Sequence, residues 1–460
     1  MRLGSSLLLS SAGWASALTQ QCSGKAVNEG GNYFCGKVGH ILYEGLRGNG
    51  KYDAVAAMDS KGTCAYVNKT YSGPLAPLDE GLSIHIRGPF HLKEAAVYTV
   101  SPNRKRSVAM SRRARGRRHR HRRAHQVGKR ADMVTATING VVVSWVNNYH
   151  GPGTEDPPPA APILPTPPPV VHTIRVPQNP RPAASTNSQP MTSSASEEKP
   201  LVGDSNAEEE PHPHRPNSGS PGNSWDRIAY YNAESQVVKN MMFMGNYGGQ
   251  GSGVFDNFGN SLAYLNADGT GGSGSSKTLK DVLLPCNKEF AIFSGEKCDE
   301  SCGFSRARDI AYKGFTGANK VFLFRFSMPH DKAHGLNGDM PALWLLNARI
   351  PRTGQYDRCS CWVSKCGEAD IFEVLAPGDT KCKSTLHVAN GAGSSDWFRR
   401  PVDGFVTVAV VFHGESASIS IRILPAETDF SKRLDDKTVR GWVHETHDTE
   451  KSSLFQLSVG

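Results

Sequence analysis

Three acidic side chains, Glu368, Asp370 and Glu373, lie inside an otherwise apolar run, Glu368-Ala-Asp-Ile-Phe-Glu-Val-Leu375. Ile371, Phe372, Val374 and Leu375 favour extended backbone, and alternation along a strand turns Glu368 and Asp370 to one side. Glu373 would face the other way. One extra residue held in a β-bulge between Asp370 and Glu373 brings it back, and bulges of that kind cluster beside active sites. The backbones of the two glutamates are then on the order of 13 Å apart. Two long side chains leaning inward can close that gap toward the ~5 Å at which a carboxylate pair cleaves a glycosidic bond with retention. The shorter aspartate can only hydrogen-bond sideways. Crowding keeps the three from ionising together at neutral pH, so one stays able to donate a proton. Taken alone, Glu-x-Asp-x-x-Glu also recurs by chance on solvated surfaces, so its surroundings decide.

Upstream stands Pro341-Ala-Leu-Trp344, downstream Thr385 and His387 on a further extended run, with cysteines on both sides. In this context the acid pattern resembles the signature of glycoside hydrolase family 16, whose members are β-sandwich glucanases and transglycosylases. Residues 225–424 carry Lys320-Val-Phe-Leu-Phe324, Leu345-Leu-Asn-Ala-Arg-Ile-Pro-Arg-Thr353 and Cys359-Ser-Cys-Trp362. These blocks are similar to the fungal Target-of-SBF-type cell-wall proteins, described as probable circularly permuted 1,3-β-glucanases. The resemblance implies a glucan endo-1,3-β-glucosidase with cell-wall β-glucan as its partner. Glu368 would be the nucleophile, Asp370 would orient it and modulate its charge, and Glu373 would serve as acid and then base. Trp344, Trp362 and Trp397 are candidates to stack on sugar faces, against a core role for each. His387 is a candidate to hydrogen-bond into the cleft, against a packed strand histidine. Ala369 stands where the family carries a larger aliphatic residue, a departure that bears on packing more than on chemistry.

The elements that must hold such a site read as strands. After Trp225 these are 321–326, 342–346, 369–375, 384–388, 405–412 and 418–424. In the first part, Leu82, Ile84 and Ile86 alternate with Ser83, His85 and Arg87, and 95–100 form a second run. Val134, Ala136 and Ile138 lead to Asn139-Gly140 and on to Val141, Val143 and Trp145, which reads as a hairpin. Long helical periodicity is absent, so an all-β sandwich is the economical architecture, and the resemblance implies a jelly-roll, concanavalin-like form. The resemblance adds circular permutation, with N-terminal strands completing the C-terminal sandwich. The ten cysteines divide into Cys22, Cys35 and Cys64 before the middle of the chain and Cys286, Cys298, Cys302, Cys359, Cys361, Cys366 and Cys382 after it. Both sets are odd, so complete pairing requires a bridge between the parts. Their spacing matches no zinc finger or ribbon, and no metal is expected.

Residues 1–17, with Arg2, Leu7-Leu8-Leu9 and Ala15-Ser16-Ala17, form a secretory signal pattern, too short and serine-rich to span a bilayer. Residues 18–150 are the N-terminal β-rich segment, 151–222 a Pro/Ser/Thr-rich linker and 223–460 the hydrolase-like domain. Residues 103–130 hold thirteen Lys or Arg and no acid; without them the 52 basic residues fall to 39 against 43 acids, turning +9 into −4. Such a run suits nucleic acid or an anionic surface, but secretion directs the chain away from nucleic acid. The pairs Lys105-Arg106 and Lys129-Arg130 suit a processing protease, with an uncut loop touching anionic wall polymers as the alternative. Asn68-Lys-Thr70 is a glycosylation sequon expected on a surface loop. The sequence closes without the hydrophobic tail of a glycolipid-anchor signal, so the expectation is either free secretion into the wall or a tail that this sequence lacks. No phosphate loop, dinucleotide fingerprint or serine elbow appears, so no cofactor is expected. A glucanase, a transglycosylase and a non-catalytic glucan-binding wall protein remain the functional classes; intact acids argue against the last.

Overall fold

Runs such as Val321-Phe-Leu-Phe-Arg-Phe326 and Val406-Thr-Val-Ala-Val-Val-Phe412 are rich in β-branched and aromatic residues, which fit a pleated surface better than a helix. In the computed structural model they form strands. The structure describes residues 25–101, 133–138, 141–146, 224–332, 335, 337–355, 359–444 and 452–457. The expected signal sequence, basic insert and linker lie outside the described residues.

The first part supplies β1 (His40–Glu44), β2 (Arg47–Met58), β3 (Cys64–Pro74), β4 (Leu82–Arg87) and β5 (His91–Val100). The second supplies β6 (Ser224–Asn232), β7 (Met241–Gly245), β8 (Glu289–Ser294), β9 (Asn319–Ser327), β10 (Ala342–Asn347) and β11 (Glu368–Val374). It continues through β12 (Lys381–His387), β13 (Phe398–Arg399), β14 (Val406–His413), β15 (Ser418–Leu424), the helix α1 (Asp436–His444) and β16 (Ser452–Gln456).

Two nine-stranded sheets result. One runs β6-β5-β9-β14-β15-β1-β16 and the other β7-β8-β4-β10-β11-β12-β13, with short strands beside β6 and β7. Every strand of the first part in these sheets is interior: β5 lies between β6 and β9, β4 between β8 and β10, and β1 between β15 and β16. The N-terminal strands therefore complete the sandwich, as expected.

Between the sheets, Phe322, Phe324 and Phe326 of β9 and Val408, Val410 and Phe412 of β14 pack in one core with Leu343, Leu345, Ile371 and Phe372. The first sheet is also sealed outside. There Val439 and Val443 of α1 close over Trp225, Val321, Leu323, Ala409 and Val411. This helix was not foreseen, because nine residues give too short a period to stand out. Lys320 is fully buried, its Nζ donating to the carbonyls of Leu78, Glu80 and Phe315 at 2.9, 3.0 and 3.2 Å. Those bonds fix the turn that leads into β4, at a desolvation cost that pulls the ammonium down to about 7.

Cys64 and Cys359 bridge the two parts, while Cys298–Cys302 and Cys361–Cys366 close short loops. Complete pairing fails, because Cys286 and Cys382 are buried free thiols. Cys382 behaves as a small core hydrophobe between the sheets. The expected strands on either side of Asn139-Gly140, Met133–Ile138 and Val141–Val146, pair antiparallel with Ile138 opposite Val141, while the two linking residues lie outside the described ones. A second hairpin, β2–β3, pairs with neither sheet. It sets Tyr52 and Ala54 against Ala342, Trp344 and Leu346 on the outward face of the second sheet.

Candidate active site

Strand β11 contains the bulge. Against β10, Glu373 stands opposite Ala342, Phe372 opposite Leu343 and Asp370 opposite Trp344, so Ile371 is the extra residue. The pairing with β12 shifts between the same two acids. Ile371 and Phe372 are consecutive and apolar, and both reach the core. A regular strand would expose one of them; the bulge buries both and, as its by-product, sets Glu368, Asp370 and Glu373 on one face.

Neighbouring strands extend that face. On β12, His387, Thr385 and Lys383 stand opposite Glu368, Asp370 and Glu373. On β4, Arg87, His85 and Ser83 stand opposite Ala342, Trp344 and Leu346. One strand further, on β8, Glu289 and Ala291 oppose Arg87 and His85.

The acids are well shielded, Glu368 being 6% and Asp370 5% exposed. Trp362 donates its indole N–H to Glu368 Oε2. A 2.9 Å hydrogen bond joins His387 Nε2 to Asp370 Oδ2. The Arg87 guanidinium lies 3.6 Å from Glu373 Oε1 and donates through Nε to the Met340 carbonyl at 2.8 Å. Burial pushes Glu368 up to about 8, with the Asp370 charge adding to it. Burial lifts Asp370 to about 7 against the opposing pull of Arg87. Glu373 is likewise raised by burial and by Asp370 to about 7. Desolvation, rather than crowding, is thus the larger reason that the row holds a proton near neutrality.

The sequence candidates fare differently in position. Trp362 is half-buried, on the loop closed by Cys361–Cys366, with its ring 6.0 Å from His387. It and His387 adjoin the acids directly. Trp344 is only 4% exposed, its ring 5.2 Å from His85 and 5.9 Å from the Arg87 guanidinium. It stands in the acids' face opposite Asp370, covered in part by the hairpin β2–β3. Trp397 precedes β13 and bonds through its backbone to Gly36 and Val38. Its neighbour Phe398 points into the core, so alternation turns Trp397 to the acids' face but at the sheet edge. Asn68 is exposed on β3 opposite Asp53, on a strand and not a loop.

Sequence reasoning noted His85 and Arg87 as polar alternates but gave them no role. The signal was present: a strand that buries its apolar face and carries Ser, His and Arg on the other needs something polar to face. Among the described residues no group of three His, Cys, Asp or Glu side chains could hold a metal ion.

Residues 223–442 match the family model described as cell wall protein YJL171C/Tos1, C-terminal, and residues 39–100 match its N-terminal counterpart. A protein of Arthroderma benhamiae named "Probable circularly permuted 1,3-beta-glucanase" is 38% identical, over 95% of this chain and 96% of its own. Relatives from Candida albicans and Saccharomyces cerevisiae, both named "Probable circularly permuted 1,3-beta-glucanase TOS1", are 36% and 35% identical. They cover 97% and 90% of this chain, and 98% and 92% of their own. No solved structure matches the chain. The chain belongs to the YJL171C/Tos1 family of cell wall proteins.

Proposed function

We propose that the protein is a secreted glycoside hydrolase of the cell wall that cleaves 1,3-β-glucan with retention, by a two-glutamate mechanism like that of glycoside hydrolase family 16. The observation that carries this reading is the bulged strand β11, which sets three buried acids with raised proton affinity on one face. The printed names of the relatives supply the substrate class. Glu368 attacks the anomeric carbon while Glu373 passes its proton to the leaving oxygen; Glu373, now ionised, then takes a proton from water as the glycosyl-Glu368 bond breaks. Glu368 must be ionised to attack. Burial holds its proton up to about 8, so attack draws on the ionised fraction, which the His387 imidazole and the Trp362 indole N–H favour. Asp370, held by His387, steadies the charge between them.

A sugar hydroxyl in place of water gives transglycosylation with the same residues. The deep burial of the row, which restricts bulk water, favours this as the second reading. Incubation with soluble 1,3-β-glucan oligosaccharides beside a Glu368→Gln variant, followed by mass spectrometry, separates them. Shorter products alone indicate hydrolysis, and products longer than the substrate indicate transfer. Binding without turnover would overturn both and leave a glucan-binding wall protein.

A further inference from the structure

Two strands from Asp370, on the order of 10 Å across the sheet, lies a pocket of about 180 Å³ lined among others by His85, Asn246, Tyr247, Asn287, Glu289 and Gln355. That is the room of about six waters at liquid density, or of one hexose. One side chain of its lining, His85 of β4, is buried with a polar atom, Nδ1, that no hydrogen bond satisfies, whereas the unsatisfied terminal nitrogen of Arg87 faces Glu373 at 3.6 Å and belongs to the acid row. His85 is 1% and Arg87 7% exposed. The carboxylate nearest the imidazole, Glu289 Oε1, is 3.6 Å from Nδ1, beyond hydrogen-bond reach, and accepts instead from Gln355 Nε2 at 3.0 Å. Buried polar atoms normally find partners, and orphaned ones call for an explanation.

We propose that this pocket is a subsite for a single glucosyl residue of the glucan chain whose neighbouring residue reaches the acids. His85 meets its hydroxyls from β4, and Glu289 on the adjacent strand β8 and Gln355 complete the polar lining. A sugar suits these walls because each hydroxyl both donates and accepts, while Tyr247, Leu262 and Ala291 offer apolar surface to the ring. The residues come from both parts of the chain, so the subsite exists only once the sandwich has closed. The proposal rests on the glucan reading above.

The test titrates a 1,3-linked glucose pentasaccharide calorimetrically into the full-length Glu368→Gln protein, alone and with Glu289→Ala or Gln355→Ala added. Each added substitution is expected to weaken binding about tenfold. Both residues are partly exposed, so neither truncation opens the core, and if one variant fails to fold the other carries the same comparison. Unchanged affinity in a folded variant would overturn the subsite and leave the glucan reading intact. No binding by the parent Glu368→Gln protein would overturn the glucan reading, and the subsite with it.

Discussion

The outward face of the first sheet carries Val321, Leu323, Ala409 and Val411 under α1, whereas the outward face of the second carries Glu368, Asp370, Glu373, Arg87 and Lys383. Both faces exclude water, with opposite results. Burying valines and leucines against a helix contributes stability in proportion to area. Burying carboxylates instead raises their proton affinity, because the charged form loses its hydration. One sheet is thus closed on both sides and serves as the platform, and the other holds charged groups in surroundings that disfavour their charge. The stability of the first is what allows the strain of the second.

This contrast can be broken most sharply at the acids. Replacing Glu368 or Glu373 by Gln is expected to lower turnover of 1,3-β-glucan about ten-thousandfold while the melting temperature holds or rises. Retained turnover in both variants would end the catalytic assignment. On the other sheet, Trp225→Ala should cost about 3–5 kcal/mol in urea unfolding with turnover per folded molecule unchanged, since Trp225 packs under α1 away from the acids. A fall in turnover comparable to that of the acid variants would show that the faces are not separable.

A smaller effect is expected from Cys64→Ser with Cys359→Ser, which removes the bridge between hairpin β2–β3 and the loop preceding Trp362. The loss should be about 2–4 kcal/mol, read as a lower denaturation midpoint of the purified protein under non-reducing conditions. The smallest effect sharpens the comparison through pH. Glu368 is raised from 4.5 in the unfolded chain to about 8 when folded. Its stabilising contribution is therefore full below about 4.5 and is lost as pH rises through about 8. Glu368→Gln should accordingly be more stable than the parent by about 1–3 kcal/mol at pH 8, with the difference vanishing near pH 4. Equal stability at both pH values would show that the carboxyl is not desolvated.

The strands and the bulge were legible because both follow from local pattern. Consecutive Ile371 and Phe372 between acids admit few other solutions that bury the apolar residues. The role of Arg87 was not legible, because its partner Glu373 lies in the other part of the chain and only the sheet order makes them neighbours. Hairpin β2–β3 escaped for a different reason. Arg47-Gly-Asn-Gly-Lys51 has little intrinsic strand preference, and the segment is held by pairing with β3 and by Tyr52, whose hydroxyl donates to Glu80 at 2.7 Å. Trp344 could be read from sequence as core or as sugar platform; its position opposite Asp370, between the His85 ring and the Arg87 guanidinium, depends on the sheet order and was not legible.

The interleaving of β5 between β6 and β9 also has a cost in time. Glu94 on β5 meets Arg325 on β9 across 231 residues of chain. At a synthesis rate of roughly 5–20 residues per second, β5 waits on the order of ten to fifty seconds for that partner to be made. During the wait, apolar strands β4 and β5 have unpaired edges, which is the condition that invites association with other chains. Nascent chains of this fold therefore carry those strands with open edges until β8, β9 and β10 have been made.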